Sequence, residues 1–247
     1  MLIAANWKAY VEDLAKAKAL FAATKRAATR SKATVVVAPP APFIGVFAPT
    51  DKSKIAFAAQ DVSLTTGGAQ TGESTAQAFA AIGAAYAIVG HSERRAAGDT
   101  NEMVAEKLSH ALAHGLTPIL CVGERERDEE GRYLTFIREE LHGALASQSP
   151  KDRAKVIVAY EPIWAIGKHA ENAITPTDLG EMVLYIKKVL AEFLPGKSAA
   201  RAQVLYGGSV EPSNVRALAA ASGIDGVLVG HASADPKQFA EIIKELS

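Results

Sequence analysis

The chain has 247 residues, 49% of them hydrophobic and 22% charged, enough apolar material for a full core in one large barrel or two small domains. Lys and Arg number 27 and Asp and Glu 27, so no long-range field draws nucleic acid or an anionic membrane, and a bound anion must be held by local groups. The one cysteine, Cys121, fits a reducing cytosol, no apolar run is long enough to span a bilayer, and Met1 to Ala5 meets Asn6 and Lys8 too soon for a signal peptide, so a cytoplasmic chain is expected.

In chain order, eight short apolar runs are expected as strands: Leu2 to Ala5, Thr34 to Ala38, Ile55 to Ala59, Ala87 to Val89, Thr117 to Val122, Val156 to Tyr160, Gln203 to Tyr206 and Gly226 to Val229. They are continuous in Val, Ile and Ala rather than alternating with polar residues, which marks strands covered on both faces and favours a parallel sheet. Between them, Val104, Leu108, Ala111 and Leu112 fall at helical spacing, as do Leu179, Met182, Val183, Ile186 and Leu190, and again Phe239, Ile242, Ile243 and Leu246. Gly115 follows the first of these helices, while Thr175-Pro176 and Asp235-Pro236 open the other two. Ala80-Ala81 and Ala84-Ala85 read as helix-compatible text. Eight such units with no Pro-, Gly- or Ser-rich linker predict an α/β chain folded as one (β/α)₈ barrel over residues 1–247, with an open doubly wound sheet as the structural alternative.

In a barrel, the residues at the carboxyl ends of the strands converge on one site. Those ends carry Asn6 to Lys8, Gly90 to Glu93, Gly123-Glu124, Glu161-Pro162, Gly207-Gly208 and Gly230-His231. Strand alternation turns Asn6 and Lys8 to one side and Trp7 to the other. Alone, Lys8 would be an ordinary solvated lysine; two residues past Asn6 at a strand mouth, it becomes a site candidate. His91 precedes what reads as the first turn of a short helix, whose free N–H groups can donate to one imidazole nitrogen and keep the ring neutral, although a capping histidine without chemistry would look the same. Glu93 can pair with Lys8. Pro162 holds Glu161 extended at its strand end, and Ile163-Trp164-Ala165-Ile166, ending at Gly167, is suited to close over it and exclude water. Gly207-Gly208-Ser209 and Gly230-His231 end neighbouring strands, where free backbone N–H groups can grip an anion such as phosphate.

The words ANWK, GHSERR, GLTPILCVGE, AYEPIWAIG, LYGGSV and DGVLVG, in this order across nearly the whole chain, resemble the triosephosphate isomerase family. The resemblance implies a homodimeric, cofactor-free (β/α)₈ enzyme acting on a phosphorylated triose, interconverting dihydroxyacetone phosphate and D-glyceraldehyde 3-phosphate. It implies Glu161 as base, His91 as electrophile, Lys8 as electrostatic anchor and Asn6 as substrate contact. Ser92 and Glu93 would support them, and Gly167, Ser209, Gly207, Gly208, Gly230 and His231 would bind phosphate. Thr71 would reach across a dimer toward the second subunit's site, and Glu73 would pair with Arg94.

The chain departs from the family pattern at two places. His231 stands where the family usually has a second glycine; its backbone N–H remains, but a left-handed backbone there would cost about 1–2 kcal/mol. Lys168 to Ile174 replace a shorter segment behind the lid, which predicts ordinary chemistry with altered lid kinetics. Cys121, inside an apolar run, reads as a buried structural thiol, and His110, His114, His142 and His169 lack metal-ligand spacing, so no metal is expected. A four-carbon ketose phosphate as substrate, or a catalytically idle phosphate-binding scaffold, are the competing functions; intact Asn6, Lys8, His91 and Glu161 argue against the second.

Overall fold

The computed structural model describes residues 1–167 and 174–247. The elements run β1 (Leu2–Asn6), α1 (Leu14–Thr29), β2 (Thr34–Ala38), α2 (Ala41–Phe47), β3 (Ala56–Ala59), α3 (Ala76–Ala81), β4 (Ala84–Val89), α4 (Ser92–Ala96) and α5 (Asn101–Ala113). They continue β5 (Thr117–Val122), α6 (Arg132–Leu145), α7 (Pro150–Arg153), β6 (Ile157–Tyr160), α8 (Pro176–Phe193), α9 (Lys197–Ala200), β7 (Val204–Tyr206), α10 (Val215–Ser222), β8 (Gly226–Val229) and α11 (Pro236–Glu245). Every strand pairs in parallel with its sequence neighbour, and β8 returns to β1, closing a barrel in the order β1 to β8. The expected parallel (β/α)₈ barrel is therefore present and the open sheet is excluded.

Strand alternation sorts the apolar residues into two packed layers. Leu2, Ala4, Val36, Ala58, Ile88, Ile119, Cys121, Ile157, Leu205 and Leu228 fill the barrel interior. Ile3, Ala5, Trp7, Val35, Val37 and their counterparts meet the ring of helices. Both faces of each strand are covered, which is why the sequence runs are continuous rather than alternating. Cys121 is buried.

Helix starts follow capping chemistry. Thr175 accepts the Asp178 N–H ahead of Pro176, and Asp235 accepts from Lys237 and Gln238 ahead of Pro236. In α5, Val104, Leu108, Ala111 and Leu112 are buried, and in α8 so are Leu179, Met182, Val183, Ile186 and Leu190. Four strand ends, in β1, β3, β6 and β7, lie one residue from expectation, and the largest difference is in β4, where Ala84 and Ala85 are strand, not helix, so that β4 begins three residues before Ala87. Gly83, at φ +96°, ends the α3 segment in a conformation that releases the chain into β4.

Candidate active site

The carboxyl ends of the strands surround a cavity of about 400 Å³ lined by Asn6, Lys8, His91, Glu161, Gly167, Gly207, Gly208, Ser209, Gly230 and His231. Ten residues singled out in the sequence, scattered over more than two hundred positions, thus share one wall. Ser92 and Glu93 stand just behind it through their bonds to Glu161 and Lys8.

Asn6 ends β1, and its side-chain oxygen accepts the Lys8 N–H at 3.1 Å. Gln60, from the end of β3, donates to the carbonyls of Lys8 at 3.0 Å and Ala38 at 2.9 Å. These anchors hold Lys8 at φ 45°, the one positive φ outside glycine among the described residues, an arrangement that costs about 1–2 kcal/mol for a side chain of this kind. The strain aims the ammonium into the cavity, where it meets the Glu93 carboxylate at 2.6 Å. Burial works against ionisation of Glu93, but the Lys8 ammonium outweighs it and holds that carboxyl below its ordinary value.

His91 caps α4, its Nδ1 accepting the Glu93 N–H at 3.1 Å. A ring nitrogen that accepts carries no proton, so Nε2 is the N–H of a neutral imidazole. Nε2 lies 3.3 Å from Glu161 Oε1, and Glu161 Oε2 accepts the Ser92 N–H, also at 3.3 Å. Both side chains are buried, Glu161 to 2% exposure and His91 to 5%. Gly207 makes room for this carboxylate: a Cβ there would fall 2.7 Å from Glu161 Cγ. A Cβ on Gly208 would collide with the Tyr206 hydroxyl.

Behind Glu161 lies a cluster that the sequence reading passed over. One carboxylate oxygen of Glu124, at the end of β5, accepts from Tyr160 Oη at 2.8 Å, Trp164 Nε1 at 2.8 Å and Arg127 Nε at 3.2 Å. Trp164 is thereby pinned to the barrel rather than free in solvent, and Ser209 Oγ donates to the Ala165 carbonyl at 2.9 Å. The sequence signal was a glutamate directly after a buried strand, adjacent in register to Tyr160 through the Val122–Tyr160 pair. Burial first, and then the nearby Glu161 carboxylate, push the Cys121 thiol well above its ordinary value, which suits a structural rather than a reactive thiol.

Other expectations fall differently. His231 does not have a left-handed backbone, so the feared conformational cost is absent. Thr71 is exposed in the loop before α3; its expected reach is toward a second subunit rather than into this chain's own cavity. Within this chain Arg94 pairs with Asp61 at 2.9 Å rather than with Glu73, whose carboxylate accepts from Ser63 at 2.6 Å. The rewritten stretch behind the lid lies outside the described residues except for Ile174, which is buried. Among the described residues no group of three His, Cys, Asp or Glu side chains is arranged to hold a metal, and no helix is long and apolar enough to cross a membrane.

Fold and site together define a (β/α)₈ enzyme that sets a buried carboxylate, a neutral imidazole and an ammonium around one small cavity. A profile of the triosephosphate isomerase family matches residues 1–246. The chain is 39% identical over 247 residues to the triosephosphate isomerase of Thermus thermophilus, covering 99% of this chain and 98% of that protein. It is 39% identical over 252 residues to that of Leifsonia xyli, covering 98% and 96%, and 37% identical over 244 residues to that of Symbiobacterium thermophilum, covering 98% and 94%. The chain belongs to the triosephosphate isomerase family and is an isomerase of this type, for which the family implies a phosphorylated triose as substrate.

Proposed function

We propose that the chain interconverts dihydroxyacetone phosphate and D-glyceraldehyde 3-phosphate through an enediolate, with Glu161 moving the proton. Shifting a carbonyl to the adjacent carbon requires a base for a carbon-bound proton and donors for the charge that develops on oxygen. Glu161 takes the proton from the carbon beside the carbonyl and returns it to the neighbouring carbon. His91 Nε2–H and the Lys8 ammonium stabilise the charged oxygen, Asn6 orients it, and His91 relays the hydroxyl proton from one oxygen to the other, so that carbonyl and hydroxyl exchange places. The backbone N–H groups of Gly167, Ser209, Gly230 and His231, with the Gly207-Gly208 turn, hold the phosphate. The observation that carries this reading is the 3.3 Å approach of His91 Nε2 to Glu161 Oε1 in a cavity that also receives Lys8.

The reading takes residues 1–247 as one barrel domain, without cofactor or metal, working in the cytoplasm in glycolysis and gluconeogenesis. It also takes the active form as a homodimer in which Thr71 reaches the second subunit's cavity. The test is a coupled isomerase assay with each triose phosphate, repeated in deuterated water and with a four-carbon ketose phosphate. Turnover of the trioses with solvent deuterium appearing beside the carbonyl supports the base mechanism. Turnover that carries no solvent label and is undiminished in Glu161→Gln would remove Glu161 from its role; preferred turnover of the four-carbon sugar would reassign the substrate.

A further inference from the structure

The charges around the cavity do not suit a phosphate dianion as they stand. Lys8 brings one cation, but Glu93 already holds it at 2.6 Å, while Glu161 and Glu211 add carboxylates to the lining. His91 contributes no charge, because its Nδ1 accepts an N–H bond. Among the described residues, the remaining titratable groups lining the cavity are Tyr10 and His231, and of these the imidazole alone can become a cation.

His231 sits at the mouth, directly after Gly230, whose Cα carries the position 3.5 Å from Lys8 Cε where a side chain would begin. Its ring meets Tyr10 edge-on, with centroids 5.3 Å apart and planes at 82°. That contact steadies the imidazole while leaving it exposed. Of the charges on neighbouring elements, the Asp235 carboxylate caps α11 by accepting the N–H groups of Lys237 and Gln238, and Lys16 donates to the Tyr10 carbonyl.

Building on the function proposed above, we propose that the His231 side chain is a second, proton-dependent cation for the substrate's phosphate, beyond the backbone N–H of the same residue. An imidazole gains its charge between about pH 5 and 8, so affinity for an anion that stays a dianion strengthens as pH falls through that range. By reciprocity, a bound dianion raises the pH at which His231 gives up its proton. Because the ring is exposed and screened, the expected coupling is about three- to tenfold in affinity.

Inorganic sulfate tests this, since it stays a dianion across the range. Its competitive inhibition of the full-length enzyme is measured from about pH 8.5 to about pH 6 at fixed ionic strength, for the wild type and for His231→Gln. The His231 ring is titrated by NMR with and without sulfate. The proposal expects the inhibition constant of the wild type to tighten about three- to tenfold more than that of His231→Gln, and the ring's midpoint to rise by about half to one pH unit with sulfate. Coincident pH profiles together with an unmoved ring overturn it. The quantity read is the difference between the two proteins, which cancels every contribution they share. Absence of isomerase turnover in the wild type would instead sink the proposed function, and the ring titration still reports whether the anion is held.

Discussion

Two clusters of buried charge occupy this barrel, and they are held in opposite ways. Around Lys107, on α5, the ammonium is gripped by Asp99 at 2.6 Å and Asp61 at 2.8 Å, and Arg94 joins Asp61 at 2.9 Å. Lys107 is 3% exposed and Asp99 8%, so each charge is compensated by short, direct bonds. Glu161 is equally buried, yet among the described residues its carboxylate meets His91 Nε2 and the Ser92 N–H at 3.3 Å each. Short bonds lock a charge in place and suit architecture. Long ones leave lone pairs available for a proton, at the expense of stability. The difference separates a structural ion cluster from a reactive one within one fold.

The largest expected effect breaks the reactive side. Glu161→Gln keeps the shape and removes the base, so kcat drops by about 10²–10⁴ while KM changes little. Glu161→Asp, with the carboxylate drawn back, falls in the same direction. Equal losses in turnover and affinity would mean that the side chain only binds. Because the carboxylate is loosely held, Glu161→Gln does not lower the urea midpoint. Lys107→Met is the mirror experiment. It leaves the buried Asp99 without its short ammonium bond, with Arg94 3.8 Å away and still paired to Asp61, and lowers unfolding stability by about 3–5 kcal/mol. A midpoint shift no larger than for an exposed lysine such as Lys18 would show that the cluster is not structural.

Which of these clusters could be read from sequence follows from the same contrast. The reactive one lies at the ends of strands, in short words where polar residues interrupt Val- and Ile-rich runs, and Asn6, His91 and Glu161 were legible for that reason. Lys107 sits mid-helix one residue after Glu106 and looks like any solvated lysine. Its partner Asp99 lies just ahead of the same helix, 8 positions before Lys107, without any marking in the sequence, and Asp61, 46 positions away, is brought to it only by the fold. Glu124 and Tyr160 are 36 positions apart, so their bond was equally hidden. In the fold, strands rich in β-branched residues announced themselves. The start of β4 at Ala84-Ala85 did not, since alanine suits either state and Gly83 alone marked the break. Helix α1 has its buried stripe built largely from small residues, Ala17, Thr24 and Ala28 beside Leu20 and Phe21, so its periodicity is faint.

A third carboxylate falls between the two extremes and sharpens the comparison through pH. Glu140, on α6, accepts the Gly123 N–H at 2.9 Å and lies 3.2 Å from Arg95 Nε, tying the ends of β5 and β4 together behind the site. Burial pushes its carboxyl up from 4.5 to about 7, with Arg95 and the Gly123 N–H opposing. Between those values the folded chain keeps a proton that the unfolded chain has released, so this group's contribution falls as pH rises through the window. Relative to Glu140→Gln, the wild type therefore loses about 1.4 kcal/mol of stability for each pH unit across it. Urea unfolding of both proteins at several pH values measures this, and parallel curves would show that Arg95 keeps Glu140 ionised throughout.

The smallest effect concerns the front of the lid. Trp164→Phe keeps a smaller aromatic ring and removes the Nε1 donor to Glu124, whose same oxygen retains Tyr160 and Arg127. One hydrogen bond to a charged acceptor is worth about 1.5–3 kcal/mol, and the two remaining donors offset part of its loss. The bond lies beside the cavity rather than within it, so the variant alters how the Ile163 to Gly167 segment is held without touching Glu161. KM rises several-fold, while kcat stays within about tenfold of the wild type and far above that of Glu161→Gln. A kcat as low as that of Glu161→Gln would place Trp164 on the reactive side, making the Glu124 cluster part of the chemistry instead of its support.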